Sequence, residues 1–276
     1  MERVLSAVNL QAEIIAEHQK GLQELVASLG SNFEIQTEVL TGEPFLEIIR
    51  DVLRNGHDLV IKMAERGGLM DRVFGSDDMH LLRKCPCPVL LVTSESPKAY
   101  HRILAAVDVN DYYPAKELNT RHLLNVQILE MASSFALSEF AELHIVHVWK
   151  AMLESTMRGA FINRPEDEIV AYVEDERQRH QQNLNVLMDE TIGNLEQNTL
   201  EQINPQIHLL KGSPHSEIPA LARKIMADFV VMGTVARTGI SGLFMGNTAE
   251  TILNQLNCSI LAIKPTGFVT PVTLDD

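Results

Sequence analysis

The residues best suited to hold a phosphate lie between Asp228 and Asn247, in the stretch DFVVMGTVARTGISGLFMGN. Four apolar residues, Phe229 to Met232, run into Gly233. A loop bearing Gly239, Gly242 and Gly246 follows, then the helical pattern TAETILNQL. The apolar run reads as a buried parallel strand, and Asn247 or Thr248 suits the N-cap of the helix. The free N–H groups and positive dipole end of a helix attract an anion, while glycines let the backbone curl around it. The same residues also make a plain glycine-rich connection between a core strand and a core helix, and spacing alone does not separate the two readings.

Other residues that could do chemistry carry a similar pair of readings. Asp108 ends the strand-like run RILAAVD. It is either a ligand contact or the cap of the following turn, since aspartate readily bonds its own backbone two residues on. Arg237 could grip a phosphate bidentately or serve the surface. His144 and His147 lie three apart on one strand, so they face opposite sides and cannot share a metal. His215, at a helix start, has no nucleophile or carboxylate assignable beside it as a general base would require. Cys85 and Cys87 form a Cys-Pro-Cys whose only companion is the distant Cys258. That is neither a disulfide framework nor a zinc pattern, and it reads as small buried apolar residues at a strand entry.

The elements that must position these groups occur twice. At an offset of 170, Gln36, Leu40, Gly42, Pro44, Glu47, Ile48, Asp58 and Val60 fall on Gln206, Leu210, Gly212, Pro214, Glu217, Ile218, Asp228 and Val230. At 171, Arg66, Gly68, Gly75, Leu82, Cys87 and Leu90 fall on Arg237, Gly239, Gly246, Leu253, Cys258 and Leu261. One slip within a loop marks a duplicated domain. The pattern predicts strands over 33–40 and 205–211, helices over 43–54 and 214–226, and strands over 58–62 and 228–232. Helices over 76–84 and 247–256 and strands over 88–93 and 259–264 complete it. The second copy opens further upstream, with a strand over 102–108, a helix over 114–135, a strand over 142–149 and an acidic helix over about 167–192. Strands alternating with helices and built from continuous Val, Ile and Leu runs imply tandem doubly wound α/β domains with parallel sheets. In such sheets ligands bind beyond the carboxyl ends of the strands, where strand order reverses, and Asp108 belongs there.

The first copy has no counterpart of residues 101–170, so it lacks its first strands. Either the true start lies upstream or another subunit completes the half sheet; the first alternative is favoured. The expected domains are 1–97 and 98–276.

Composition narrows the function classes. The chain has 276 residues, 45% of them apolar, and a formal charge of -14, which argues against a nucleic-acid footprint. No apolar run reaches the length of a membrane span, and the first residues lack a secretory pattern, so the expected setting is the cytoplasm.

The second copy, with its strand and glycine loop, its ILAAVD opening and its Gly212-x-Pro214, resembles a universal stress protein domain, and the resemblance covers essentially the whole chain. In the ATP-binding branch of that family the aspartate ending the first strand lies by the adenosine, while the glycine loop and a following hydroxyl hold the phosphates. The resemblance therefore implies Asp108 for the nucleoside and Gly233, Gly246 and Asn247, with Arg237, for the phosphates of ATP with Mg²⁺. This sequence departs from the family pattern in two places: Ala236 replaces the second motif glycine, and Asn247 replaces the hydroxyl. In the first copy Met63 stands for Gly233 and Glu65 brings negative charge, so that copy is not expected to bind nucleotide. The resemblance implies a stress-associated regulatory or binding protein whose copies meet at their last strands, Val89–Thr93 and Ile260–Lys264, in an intramolecular pseudo-dimer, with a homodimer also allowed. An interaction scaffold or carrier of an apolar ligand between the halves is the rival reading. Slow ATP hydrolysis is third, since there is no Gly-x-x-x-x-Gly-Lys-Ser/Thr for phosphoryl transfer.

Overall fold

The computed structural model describes residues 2–30, 34–65, 74–159, 162, 164–193, 197–234 and 245–274. They fall into two compact units, residues 1–47 and 48–276. The first unit holds α1 (Glu2–Leu29), on which Gln19 Nε2 donates to Thr37 Oγ1 at 2.8 Å, and the beginning of α2 (Pro44–Asn55). The second unit continues through β1 (Val60–Met63), α3 (Ser76–Lys84), β2 (Val89–Val92), β3 (Arg102–Val107), α4 (Ala115–Glu139) and β4 (Glu142–Trp149). It ends with α5 (Glu154–Met157), α6 (Glu166–Thr191), α7 (Gln197–Ile203), β5 (Gln206–Lys211), α8 (Pro214–Ile225), β6 (Phe229–Gly233), α9 (Asn247–Leu253) and β7 (Ser259–Ile263).

The strands form one sheet in the order β1-β2-β7-β6-β3-β4-β5. Neighbours run parallel except β2 and β7, which pair antiparallel through Val89↔Ala262, Leu90↔Leu261 and Leu91↔Ile260. The two terminal strands of the repeats therefore meet as the resemblance implies. β7 is buried throughout and β4 over seven of its eight residues, as expected for strands covered by helices on both faces. Phe229, fully buried, stacks on Tyr100 at 4.6 Å between centroids and takes the edge of Phe135 at 5.0 Å, an arrangement aromatic quadrupoles favour.

The repeat also shows in backbone geometry. Gly42 and Gly212 both have positive φ, 142° and 157°. A Cβ on either would lie against the side chain of a glutamate five residues on, at 3.0 Å from Glu47 and 2.7 Å from Glu217. Only glycine fits such a turn, which explains the Gly-x-Pro in each copy.

Three expectations change. Residues 34–41 form no strand. Their counterpart β5 is held by the parallel ladder with β4, and among the described residues no strand pairs with 34–41. The last long helix begins at Asn247 and ends at Leu253, with Gly246 as its N-cap, so neither Asn247 nor Thr248 caps it. The 28-residue α1 was not foreseen as an element, although the offset places it on α6.

Polar contacts join the repeats along the antiparallel seam. Ser259 Oγ accepts from the Thr93 N–H at 3.2 Å, and Arg83 on α3 pairs with Glu250 on α9. Lys264 Nζ donates to the carbonyl of Leu82 and to Thr234 Oγ1. Burial lowers its pKa to about 7 from 10.5, against a smaller raising effect of Cys85. Between those two values the unfolded chain binds a proton that the folded chain does not, so this contribution to stability rises with pH across the window. Denaturant unfolding at pH 7.5 to 9.5 should show wild type gaining on Lys264→Met by at most about 1.4 kcal/mol per pH unit. A difference between the two chains that stays flat with pH would show that Lys264 is not held neutral.

Candidate functional site

Strand order reverses at β3, which has β6 on one side and β4 on the other. The register Ala106↔Met232 puts Asp108 two residues beyond the pair on one strand and Gly233 one beyond it on the other. The structure thus brings these two predicted residues together at the switch point, where open α/β sheets bind ligands.

Asp108 is held from three directions. Asn125 of α4 clamps its backbone, with Oδ1 accepting from the Asp108 N–H at 3.0 Å and Nδ2 donating to the Asp108 carbonyl at 2.8 Å. Its Oδ2 accepts from Tyr113 Oη at 2.9 Å and Arg121 Nη1 at 3.2 Å. Its Oδ1 accepts from the Asn110 N–H at 3.2 Å, the turn-capping bond of a capping aspartate. The Arg121 guanidinium lies over the Tyr113 ring, 3.4 Å from its centroid, a favourable cation–π placement. Burial, with the Asp108 charge, pushes the Tyr113 phenol up to about 12, so it donates rather than ionises. Two carboxylate oxygens offer about four acceptor positions. These three bonds, with 43% of the side chain exposed, leave about one acceptor position facing solvent.

Behind this rim lies a buried histidine pair. His147 Nε2 and His180 Nδ1 are 3.1 Å apart, and His147 Nδ1 is 3.3 Å from the carbonyl of Val107. Trp149 covers His180 at 5.7 Å between ring centroids. Tyr112 donates to Glu176, which also takes Arg179 at 2.8 Å. On the opposite face His144 pairs with His208 at 3.0 Å, so the two strand histidines do point apart, each with a histidine partner. Among the described residues no group of three or more His, Cys, Asp or Glu is placed to hold a metal ion.

On the phosphate side, Gly233 has a structural explanation. A Cβ there would lie 2.7 Å from Leu124 Cδ2 and 3.3 Å from Leu124 Cγ, because α4 crosses close to the end of β6. The Gly246 N–H is taken by the carbonyl of Thr234 at 3.0 Å. Asn247 is exposed, in the first turn of α9, where backbone N–H groups have no intrahelical acceptor. Arg237, Ala236, Gly239 and Gly242 lie outside the described residues.

The first repeat places a carboxylate at the start of the corresponding helix. Asp78, fully buried and matching Ala249, accepts from the Glu65 N–H at 2.8 Å, the Gly75 N–H at 3.1 Å and Lys62 Nζ at 2.8 Å. Burial lowers the Lys62 pKa, but Asp78 and Glu65 outweigh it and raise the value. A carboxylate of the chain thus occupies N–H groups that could otherwise meet a phosphate.

Sequence reasoning missed Tyr113, Arg121, Asn125, the histidine pairs and Asp78. Arg121 and Asn125 left a signal. They are polar residues four apart, beside an apolar stripe at Leu124, Ile128 and Leu129, which puts them on the face that meets the sheet.

A doubly wound sheet with a switch-point aspartate and a strand-to-glycine loop defines a universal stress type of domain. The model of the universal stress protein family matches residues 3–93 and 99–264, and the chain belongs to that family. It is 36% identical over 234 residues to universal stress protein E of Escherichia coli (strain K12), covering 84% of this chain and 69% of that one. A homologue from Haemophilus influenzae is 30% identical over 259 residues, covering 93% and 78% of the two chains. Among solved structures, a functionally unknown protein from Pseudomonas aeruginosa PAO1 superposes with a TM-score of 0.66 at 26% identity, covering 91% of this chain and 78% of that one.

Two expected outcomes follow. Gly233→Ala should destabilise the chain by about 1–3 kcal/mol through overpacking. Combined with Leu124→Ala it should cost less than the sum of the two single changes, and strict additivity in denaturant unfolding would refute the close-approach explanation. Burial lowers the pKa of both His147 and His180 below 6.5. As pH falls below 6.5 the unfolded chain gains protons that the folded chain refuses, so stability drops. Unfolding measured from pH 7 down to 5 should show a steeper loss in wild type than in His180→Leu.

Proposed function

We propose that the chain is a stress-associated regulatory protein of two domains, 1–97 and 98–276, acting in the cytoplasm, and that the second domain binds an ATP-type nucleotide. The observation that carries this reading is the placement of Asp108 at the switch point, clamped by Asn125 and keeping one acceptor position for a ribose hydroxyl. Arg121 and Tyr113 add a cation and a ring at the same rim. The first-turn N–H groups of α9, with Gly233, Gly246 and Asn247, make the phosphate side, joined by Arg237. Magnesium would come with the phosphates. The first domain takes no nucleotide in this reading, because Asp78 already serves its loop. The family resemblance supports the nucleoside and phosphate assignments. Among the described residues no helix is long and apolar enough to cross a membrane.

A second reading is a scaffold that works without nucleotide. The Gly246 N–H bonded to Thr234, and the three protein donors already on Asp108, favour it. Calorimetric titration with ATP and Mg²⁺ separates the two. Micromolar binding in wild type, lost in Gly246→Val and weakened on the order of tenfold in Asp108→Asn, is expected if the carboxylate accepts a charge-assisted ligand hydrogen bond. Wild-type heats no larger than dilution at millimolar ATP would leave the scaffold reading.

A further inference from the structure

The Cys-Pro-Cys lies where α3 gives way to β2. Cys85 caps the C-terminus of α3, with its N–H bonded to the Leu81 carbonyl at 2.9 Å, and its side chain is fully buried. Cys87 is only partly buried, and the two Sγ atoms are 3.6 Å apart. A disulfide needs that separation to close to about 2.05 Å, with Cα atoms no more than about 7 Å apart, a span that two residues flanking one proline can meet. The second repeat supplies an internal comparison. Cys258 matches Cys87, while Leu256 stands where Cys85 does, so Cys258 has no neighbouring thiol from its own loop.

The surroundings divide the pair into an attacking and a resolving thiol. The hydrogen bond from Cys85 lowers the pKa of Cys87, and backbone N–H groups and His57 add to that effect against burial. The same hydrogen bond, then burial, raises Cys85, with Lys264 acting in the other direction. Cys258, by contrast, is pushed up to about 12 by burial, with the charge of Asp228 adding to it. Thiolates attack disulfides and thiols do not, so within this chain Cys87 is the nucleophile.

We propose that Cys85 and Cys87 form a dithiol that exchanges with small-molecule disulfides, closing to an intramolecular disulfide at the entry to β2. In the first step the Cys87 thiolate attacks one sulfur of the small disulfide. A mixed disulfide forms and one small thiolate leaves. In the second step Cys85 loses its proton and attacks Cys87 Sγ, expelling the other small thiolate, which takes up a proton. The two protein thiols lose two electrons and two protons, and one small disulfide becomes two small thiols.

The full-length reduced chain is equilibrated in buffers of increasing oxidised-to-reduced glutathione ratio, quenched with acid, alkylated and digested with trypsin. Cleavage after Lys84 and Lys98 places both cysteines in one peptide, Cys85–Lys98. That peptide should become lighter by two hydrogen atoms and resist alkylation, while Cys258 stays alkylated. In native alkylation at pH 7.5, Cys87 should react on the order of tenfold or more faster than Cys258. Cys85→Ser should accumulate glutathione on Cys87, and Cys87→Ser, at the more exposed position, should leave Cys85 a free thiol. Two alkylatable thiols persisting in fully oxidised glutathione would overturn the proposal. So would a stable glutathione adduct on the wild-type peptide, or oxidation of Cys85 in Cys87→Ser as fast as in wild type.

Discussion

The antiparallel pairing of β2 with β7 is the contact on which the rest of the molecule depends. Each strand ends its own repeat and would otherwise leave a row of unpaired backbone groups at a sheet edge. Joined, they make a continuous sheet whose central strands β7, β6, β3 and β4 are largely buried, and burial is what a run such as VVMG or SILAI requires. The seam also explains why a lysine can sit in the core. Lys264 gives hydrogen bonds to a carbonyl of one repeat and a hydroxyl of the other. A buried amine without a carboxylate partner is tolerated when it can release its proton.

The two repeats solve the same local problem with different chemistry. A strand that runs into a glycine loop and then a helix leaves N–H groups in need of acceptors. In the first repeat Asp78 supplies them, and Lys62 balances its charge. In the second, Ala249 occupies the Asp78 position and supplies no such acceptor, and the Thr234 carbonyl takes the Gly246 N–H instead. An internal carboxylate is thus the physical difference between the two repeats at this position.

Much of this architecture was legible because burial and turn chemistry write themselves into local sequence. β4 lies where ELHIVHVW predicted it, and the Gly-x-Pro turns matched, because each depends on residues close in the chain. The site was less legible. Asp108 could be placed from strand-end logic, but its partners Tyr113, Arg121 and Asn125 act through the packing of α4 on β3, and a register between helix and sheet has no one-dimensional signature. The partnerships of His147 with His180 and of His144 with His208 span 33 and 64 residues and depend on which face each strand residue takes. Residues 34–41 show the converse. Their sequence favours a strand, yet a strand exists only with a neighbour to bond, and among the described residues none pairs with them.

Gly233 and Met63 show how a duplicated chain tests the meaning of a residue. They occupy one position of the repeat, and a site-based reading treats the glycine as the place where phosphate approaches the backbone. The geometry gives a second reason for it, since α4 comes so near that a Cβ would meet Leu124 at 2.7 Å. Met63, by contrast, is 58% exposed on β1. A second difference is polar: the carboxylate of Asp78 accepts from the N–H groups of Glu65 and Gly75, where the second repeat has Ala249.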